Sequence, residues 1–217
     1  MSLPKAYNRQ VMAGLGARAV WMPGEPLTVG KVVRRTQPGI FTEVATLQDF
    51  GINPTITPHS DRSLNLISKG VSEKIFQFDV QVEQDQLDLD AEAKVVLEFK
   101  KEFEFVLKTP TLKGASIGSL AKVGQQLAGA NGWNHEKFCL VYESYEAGEF
   151  TFLGTLSRAS KIEVSGKGSG IISFLTAGAS AGIKKSGKTE VDLVGVGGPV
   201  AMGLVKIEPN GNLNFSF

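Results

Sequence analysis

Lys74-Ile-Phe-Gln-Phe-Asp-Val-Gln-Val-Glu83 and, after the polar break Gln84-Asp85-Gln86, Leu87-Asp-Leu-Asp-Ala-Glu-Ala-Lys-Val-Val-Leu-Glu-Phe99 decide the fold class. In the first stretch Phe76, Phe78, Val80 and Val82 alternate with Gln77, Asp79, Gln81 and Glu83. In the second, Leu87, Leu89, Ala91, Ala93, Val95, Leu97 and Phe99 alternate with Asp88, Asp90, Glu92, Lys94 and Glu98. Successive side chains of an extended chain point to opposite sides, so a period of two over such lengths marks strands with one apolar and one wet face. The two runs predict a long amphipathic β-hairpin. Phe103 and Phe105 prolong the pattern up to Pro110, which has no N–H for a ladder and is expected to end it.

Toward the N-terminus the chain turns basic: Lys5, Arg9, Arg18, Lys31, Arg34 and Arg35 stand against Glu25 alone. Lys5 to Leu15 reads as a short helix, Arg18 to Met22 as a strand stopped by Pro23-Gly24-Glu25-Pro26, and Val29 to Arg34 as a second strand ending near Pro38-Gly39. Toward the C-terminus the period changes. Ile117, Leu120, Val123 and Leu127 predict a helix over Ser116 to Ala128, capped by Ser116 and stopped by Gly129. Lys137 to Tyr142 and Phe150 to Leu156 predict a hairpin around Tyr145-Glu-Ala-Gly-Glu149. Lys161 to Val164, Ile171 to Gly182, Glu190 to Val194 and Val200 to Ile207 read as further strands. The expected fold is α+β, a twisted mainly antiparallel sheet with a few helices, in a single domain over residues 1–217.

The 217 residues hold 23 lysines and arginines against 22 aspartates and glutamates, so a net charge of +1 argues against general nucleic-acid binding. One cysteine, Cys139, and two histidines, His59 and His135, cannot make a disulfide framework or a Cys/His zinc cluster. Apolar runs are broken by glycine, serine or charge before the length of about 18 residues that a membrane helix needs. A secretory signal is not apparent, and a reducing, cytoplasmic compartment fits.

Two motifs match on paper. Gly182-Ile-Lys-Lys-Ser-Gly-Lys188-Thr189 fits the phosphate-binding P-loop, but Glu190-Val-Asp-Leu-Val194 alternates like a strand where a helix should follow. Gly114-Ala-Ser116-Ile-Gly118 fits the nucleophile elbow of hydrolases. The order serine, acid, histidine is not met, because His135 precedes Asp192, the only later aspartate; helix capping by Ser116 is the expected role. Asp85, Asp88 and Asp90 lack the spacing of a calcium loop. Cys139 reads as a buried thiol, and both histidines as surface-loop residues. The expectation is a protein without catalytic residues, metal or cofactor.

The order of these features resembles the pore-forming domain of the gasdermins, in particular the short bacterial and fungal members. The residues that carry the resemblance are the basic opening with Ala17-Arg-Ala-Val-Trp-Met-Pro-Gly24, then Leu27 to Arg35, and the acidic hairpin around Ser72 to Leu107. Helix Ser116 to Ala128, Phe138-Cys-Leu-Val-Tyr-Glu143, the stretch Lys161 to Val194 and the closing strand Gly198 to Ile207 complete it. The chain departs from the family in having its sole cysteine at position 139, and the expectation is a single domain without a separate C-terminal repressor domain.

The resemblance implies a protein that oligomerises on anionic membrane lipids and perforates them through two convertible hairpins, in cell death or defence, cytoplasmic until activated. A separate inhibitory or activating protein is implied as a partner. Lys5, Arg9, Lys184, Lys185 and Lys188 would bind lipid. Phe76, Phe78, Val80, Val82, Leu87, Leu89, Val95, Leu97, Phe99, Ile172 and Phe174 would enter the membrane, and Asp79, Glu83, Asp88, Asp90 and Glu92 would line the pore. Tilted strands cross a bilayer with about 9–11 residues; Ile75 to Glu83 supplies nine and Leu87 to Phe99 thirteen. The alternative is a non-catalytic β-rich binding or scaffold protein, since any antiparallel sheet with one wet face shows the same alternation.

Overall fold

The computed structural model describes residues 2–178, 183–187 and 191–216. In chain order the elements begin with helix α1 (Leu3–Leu15) and strands β1 (Arg18–Ala19), β2 (Lys31–Gln37), β3 (Ile40–Thr46), β4 (Ile56–Pro58), β5 (Arg62–Ile67), β6 (Val71–Gln77), β7 (Val80–Val82), β8 (Glu92–Phe99) and β9 (Phe105–Ile117). Helix α2 (Leu120–Ala128), strands β10 (Phe138–Gly154) and β11 (Ser160–Lys167), helix α3 (Gly168–Ala177) and strands β12 (Ile183–Gly187), β13 (Val191–Ile207) and β14 (Leu213–Asn214) follow. Every registered pairing among the described residues is antiparallel, which is the α+β class expected. The chain forms two compact units. One comprises residues 1–7, 62–112 and 148–197, the other residues 8–61, 113–147 and 198–217.

The first unit holds an open sheet in the order β12-β11-β8-β6-β7. β6 lies against β8 from Val71↔Phe99 to Gln77↔Ala93, and β11 against the other edge of β8 from Ser160↔Phe99 to Lys167↔Glu92. Val95, Leu97 and Phe99 of β8 and Ile162 and Val164 of β11 turn the same face inward, where Ile171, Phe174 and Leu175 of α3 cover it. The long hairpin therefore exists, but not with the predicted strands. Residues 75–83 are not one strand: Phe78 and Asp79 have φ of 51° and 59° and make a two-residue turn, so that Gln77 faces Val80 and Ile75 faces Val82. Two-residue hairpins need left-handed central residues. Asp79 adopts that region readily, whereas phenylalanine rarely does, and the apolar Phe78 disguised the turn as strand.

The other corrections have similar causes. β9 runs through Pro110, because the register shifts from Leu64↔Thr109 to Arg62↔Leu112 and the bulge accommodates a residue without an N–H. Ile171 to Ala177 is helix, not strand; Ile171, Phe174 and Leu175 sit at i, i+3, i+4 on its buried side. β10 is a single strand across Tyr145–Glu149, and β13 joins the two strands expected at Glu190–Val194 and Val200–Ile207, Glu190 itself lying outside the described residues.

The first turn of α1 also packs in this unit. Tyr7 is fully buried, its ring 5.3 Å from Phe105 and 5.2 Å from Phe152, which stack on each other at 5.6 Å. Burial pushes the Tyr7 hydroxyl far above the ordinary phenol range. The fold thus favours the neutral phenol, a stabilisation fully present below the unfolded phenol value of about 10 and lost as pH rises above it. The melting temperature is expected to fall steeply above that pH, and Tyr7→Phe to lose much of the fall; an unchanged alkaline slope in that variant would refute this cause.

The second unit carries β1-β13-β10-β2-β3, with β14 on β13 and β4 on β9. Neighbouring residues feed its two faces. Val32, Leu140, Val205 and Ile207 pack with Val123 and Leu127 of α2, whereas Val33, Cys139, Val141, Met202 and Leu204 form a separate cluster with Val20, Leu27 and Phe41. α2 begins at Leu120, after Ser119, and Ser116 lies in β9 instead of capping the helix. The strand expected over Arg18 to Met22 is confined to Arg18–Ala19, and that expected over Val29 to Arg34 is Lys31–Gln37. His135 is anchored by Nδ1 at 2.9 Å from the Ile207 carbonyl.

Candidate functional site

The sheet of the first unit separates its side chains by period. On β8, Val95, Leu97 and Phe99 are buried on one face, while Lys94 and Glu98 point to the other, where Val96 between them is also buried; Glu92 is exposed at the strand's start. On β6, Lys74 donates to Glu98 at 2.9 Å and Ser72 to the same carboxylate at 3.3 Å; the Lys74 hydrogen bond, more than any other neighbour, holds the Glu98 carboxyl below the usual range. Phe76 lies on this outer face under the Lys94 ammonium, 5.9 Å from its ring centre.

The eleven residues expected to enter a membrane are therefore not one face of the folded sheet. Leu87, Val95, Leu97, Phe99 and Phe174 are buried, and Val82 and Ile172 pack at the edge of that core. Phe78, 77% exposed, is at the turn tip; Val80 and Leu89 are exposed. Of the expected pore-lining residues, Asp79 lies 3.2 Å from Lys94, and Asp90 N–H donates to Asp88 Oδ1 at 3.0 Å. Glu83 and Glu92 are exposed. Buried Gln77 holds the loop, donating to the Asp88 carbonyl and accepting its N–H, both at 2.9 Å.

Helix α3 is clamped at both ends. Gly168 and Ser169 donate to the Ala91 and Leu89 carbonyls at 2.9 and 3.0 Å, and a Cβ on Gly168 would collide with the Asp88 backbone. At the other end Lys108, with a side chain 1% exposed, donates to the Leu175 carbonyl at 3.1 Å and lies 5.4 Å from the Phe174 ring centre. Its counter-ion is Glu73, 2.6 Å away but off the hydrogen-bond direction. Thr151 donates to the Gly178 carbonyl. Sequence reading missed Lys108; the available signal was a charge inside the apolar run Phe105-Val-Leu-Lys-Thr109.

Among the expected lipid-binding cations, Lys5, Arg9 and Lys184 are exposed, and Lys188 lies outside the described residues. Lys185 is half-buried and paired with Asp192; burial lowers its ammonium below the ordinary range. The second unit offers a basic concavity that was not anticipated. Arg34, Arg35, Lys137 and Lys206, with the single carboxylate Glu136, line a cavity of about 600 Å³ with Cys139 at its wall. Burial, and next the charge of Arg35, lower the Arg18 guanidinium, while burial raises the Cys139 thiol. Such a concavity suits an anionic group.

Ser116 and His59 are not the isolated residues expected. β4 pairs with β9 through Thr57↔Ser116 and Pro58↔Ala115, and this register delivers His59 Nε2 to 2.9 Å from Ser116 Oγ. Glu143 Oε1 lies 3.6 Å from His59 Nδ1 and accepts from the Tyr145 hydroxyl at 2.9 Å. Among the described residues, no group of three or more His, Cys, Asp or Glu is placed to hold a metal ion, and no helix is long and apolar enough to cross a membrane. The P-loop lookalike lies partly outside the described residues; its Ile183–Gly187 is strand β12, and Val191 begins β13.

No family model and no curated protein matches the chain. Among solved structures it is similar to a bacterial gasdermin from Bradyrhizobium tropiciagri, with 11% identity, a TM-score of 0.44, and 96% of this chain and 89% of that one covered. It is also similar to the gasdermin A3 membrane pore, with 12% identity, a TM-score of 0.34, and coverage of 99% and 94%. At these values the likeness does not assign the family.

Proposed function

We propose that this chain is a non-catalytic, membrane-perforating protein, cytoplasmic until it assembles with copies of itself on anionic lipid. The observation that carries the reading is the β8–β11 ladder. Eight consecutive registered pairs bury Val95, Leu97, Phe99, Ile162 and Val164 on one face and present Lys94, Glu98, Lys161 and Glu163 on the other, interrupted there by the buried Val96. Barrel strands in a bilayer need this division, apolar toward lipid and polar toward the lumen. Eight residues fall short of the roughly 9–11 that a tilted strand requires, so α3 has to unwind and lengthen β11. Ile172 and Phe174 share the even positions of Ile162 and Val164 and would then continue its apolar face. Lys5, Arg9, Lys184 and Lys188 would draw the chain to the surface, each contributing about 1 kcal/mol near anionic lipid, and Lys185 would join them once its pairing with Asp192 is released. The basic concavity would take an acidic headgroup.

The second reading is a binding or scaffold protein whose sheet keeps its fold. It is favoured by the completeness of the α3 cover, under which Val95, Leu97 and Ile162 are fully buried. Dye release from anionic liposomes separates the two. Perforation predicts release that weakens as salt rises, and absence of release under every activating condition would leave the binding reading. In planar bilayers Glu92→Lys is expected to shift permeability toward anions while melting like the parent, because Glu92 is exposed and surface changes cost within about 0.5 kcal/mol. Intact release with unchanged ion selectivity would remove Glu92 from the pore wall.

A further inference from the structure

We propose that Ser116 is a nucleophilic serine that takes up an acyl group from an activated ester, with His59 as its base and Glu143 as the carboxylate that orients the base. Three strands of the second unit build the arrangement. Ser116 comes from β9, His59 follows directly on β4, and Glu143 lies in β10. The base must sit within hydrogen-bond reach of the proton it removes, about 2.6–3.2 Å, and Nε2 meets this at 2.9 Å from Oγ. With its proton on Nδ1, facing Glu143 Oε1 at 3.6 Å, the imidazole offers Nε2 as the acceptor. The imidazolium formed on reaction would then be answered by the carboxylate, as in the nucleophile, base and orienting acid of covalent catalysts.

The surroundings hold this geometry. Tyr145 donates to the same Glu143 oxygen at 2.9 Å, and its ring meets that of His59 edge-on at 6.2 Å. His59 N–H donates to the Gly114 carbonyl at 2.8 Å. Gly114 itself leaves room for the imidazole, since a Cβ there would fall 2.8 Å from Nδ1. The site is not sealed: the His59 and Glu143 side chains are 32% and 19% exposed, so a small reagent reaches it. Ser116 belongs to an extended strand, so the G-x-S-x-G spacing around it is not an elbow; in chain order the base, nucleophile and acid are His59, Ser116 and Glu143.

In the transfer Ser116 Oγ attacks the acyl carbon and the bond from that carbon to the leaving oxygen breaks. The Ser116 proton passes to His59 Nε2 and from there to the leaving alkoxide. The transfer is stoichiometric, leaving the acyl group as an ester on Ser116. A fluorophosphonate tests the same nucleophile: Oγ bonds to phosphorus, the P–F bond breaks, fluoride leaves and His59 keeps the proton. Incubation of the full chain with a fluorophosphonate, followed by peptide mass spectrometry, is expected to give one adduct, on Ser116. His59→Gln should slow it at least about a hundredfold, the lower edge of a general base's contribution. Glu143→Gln and Tyr145→Phe should slow it less, and Ser116→Ala should abolish it. Labelling of the folded parent elsewhere, no labelling of it, or Ser116 labelling that proceeds as fast in folded His59→Gln or Glu143→Gln would overturn the proposal. The parent alone can overturn it, so a variant that fails to fold does not shelter it.

Discussion

Glu73→Gln is expected to lower the free energy of unfolding by about 3–5 kcal/mol, the cost of leaving one member of a buried ion pair uncompensated. The reason lies in the asymmetry of the pair. Lys108 is 1% exposed and keeps only the Leu175 carbonyl and the Phe174 ring once Glu73 is neutral, whereas the Glu73 side chain is 23% exposed and can turn toward water. Lys108→Met should therefore cost less, about 1–3 kcal/mol, the range for leaving a buried polar group unsatisfied. The double variant should recover most of the loss, because replacing both members of a buried pair is often nearly neutral. Denaturant unfolding of the three variants measures this order. A Lys108→Met loss exceeding that of Glu73→Gln would mean that Lys108 acts through its Leu175 bond and its packing, not its charge. Amide exchange should quicken first in α3, whose last turn Lys108 holds.

Phe174→Ala should cost about 3–5 kcal/mol, the range for truncating a fully buried aromatic and leaving a cavity. Phe174 has no exposed surface and sits among Val95, Leu97, Phe99, Ile162 and Val164, on the helix that closes this face of the sheet. Because the Lys108 ammonium lies over its ring, the loss should not add simply to that of Glu73→Gln. Phe215→Ala is the control: Phe215 is exposed and touches Tyr142 edge-on, so its loss should stay below about 1 kcal/mol. Equal losses in the two variants would show that α3 does not carry the core. A typical domain has only about 5–15 kcal/mol in hand, so either large effect is visible in a single melting curve.

The sequence exposed strand character far better than strand ends. Alternation identified β8 with the inward parity of Val95, Leu97 and Phe99, and spacing identified most of α1 and α2; for β6 it caught only the last residues and with reversed parity, since Gln77 is buried and Phe76 lies on the outer face beneath Lys94. It failed at Phe78-Asp79, where an apolar residue occupies a turn, and at Ile171 to Ala177, where a short apolar run suits helix and strand alike. It also failed at Tyr145–Glu149, where the turn-like sequence Glu-Ala-Gly-Glu lies inside β10 and Ala147 is buried.

By itself the sequence determined an antiparallel α+β class, the two-sided character of residues 92–99, and the basic N-terminal segment, because period and charge are properties of neighbours along the chain. The tertiary structure alone decided that Gln77 faces Val80 across a turn, that α3 covers the apolar face, and that Lys108 answers Glu73. It alone brought His59, Ser116 and Glu143 together, across 57 residues for the first pair. Strand register joins positions far apart in sequence, and a slip of one residue would turn each of these side chains to the other face.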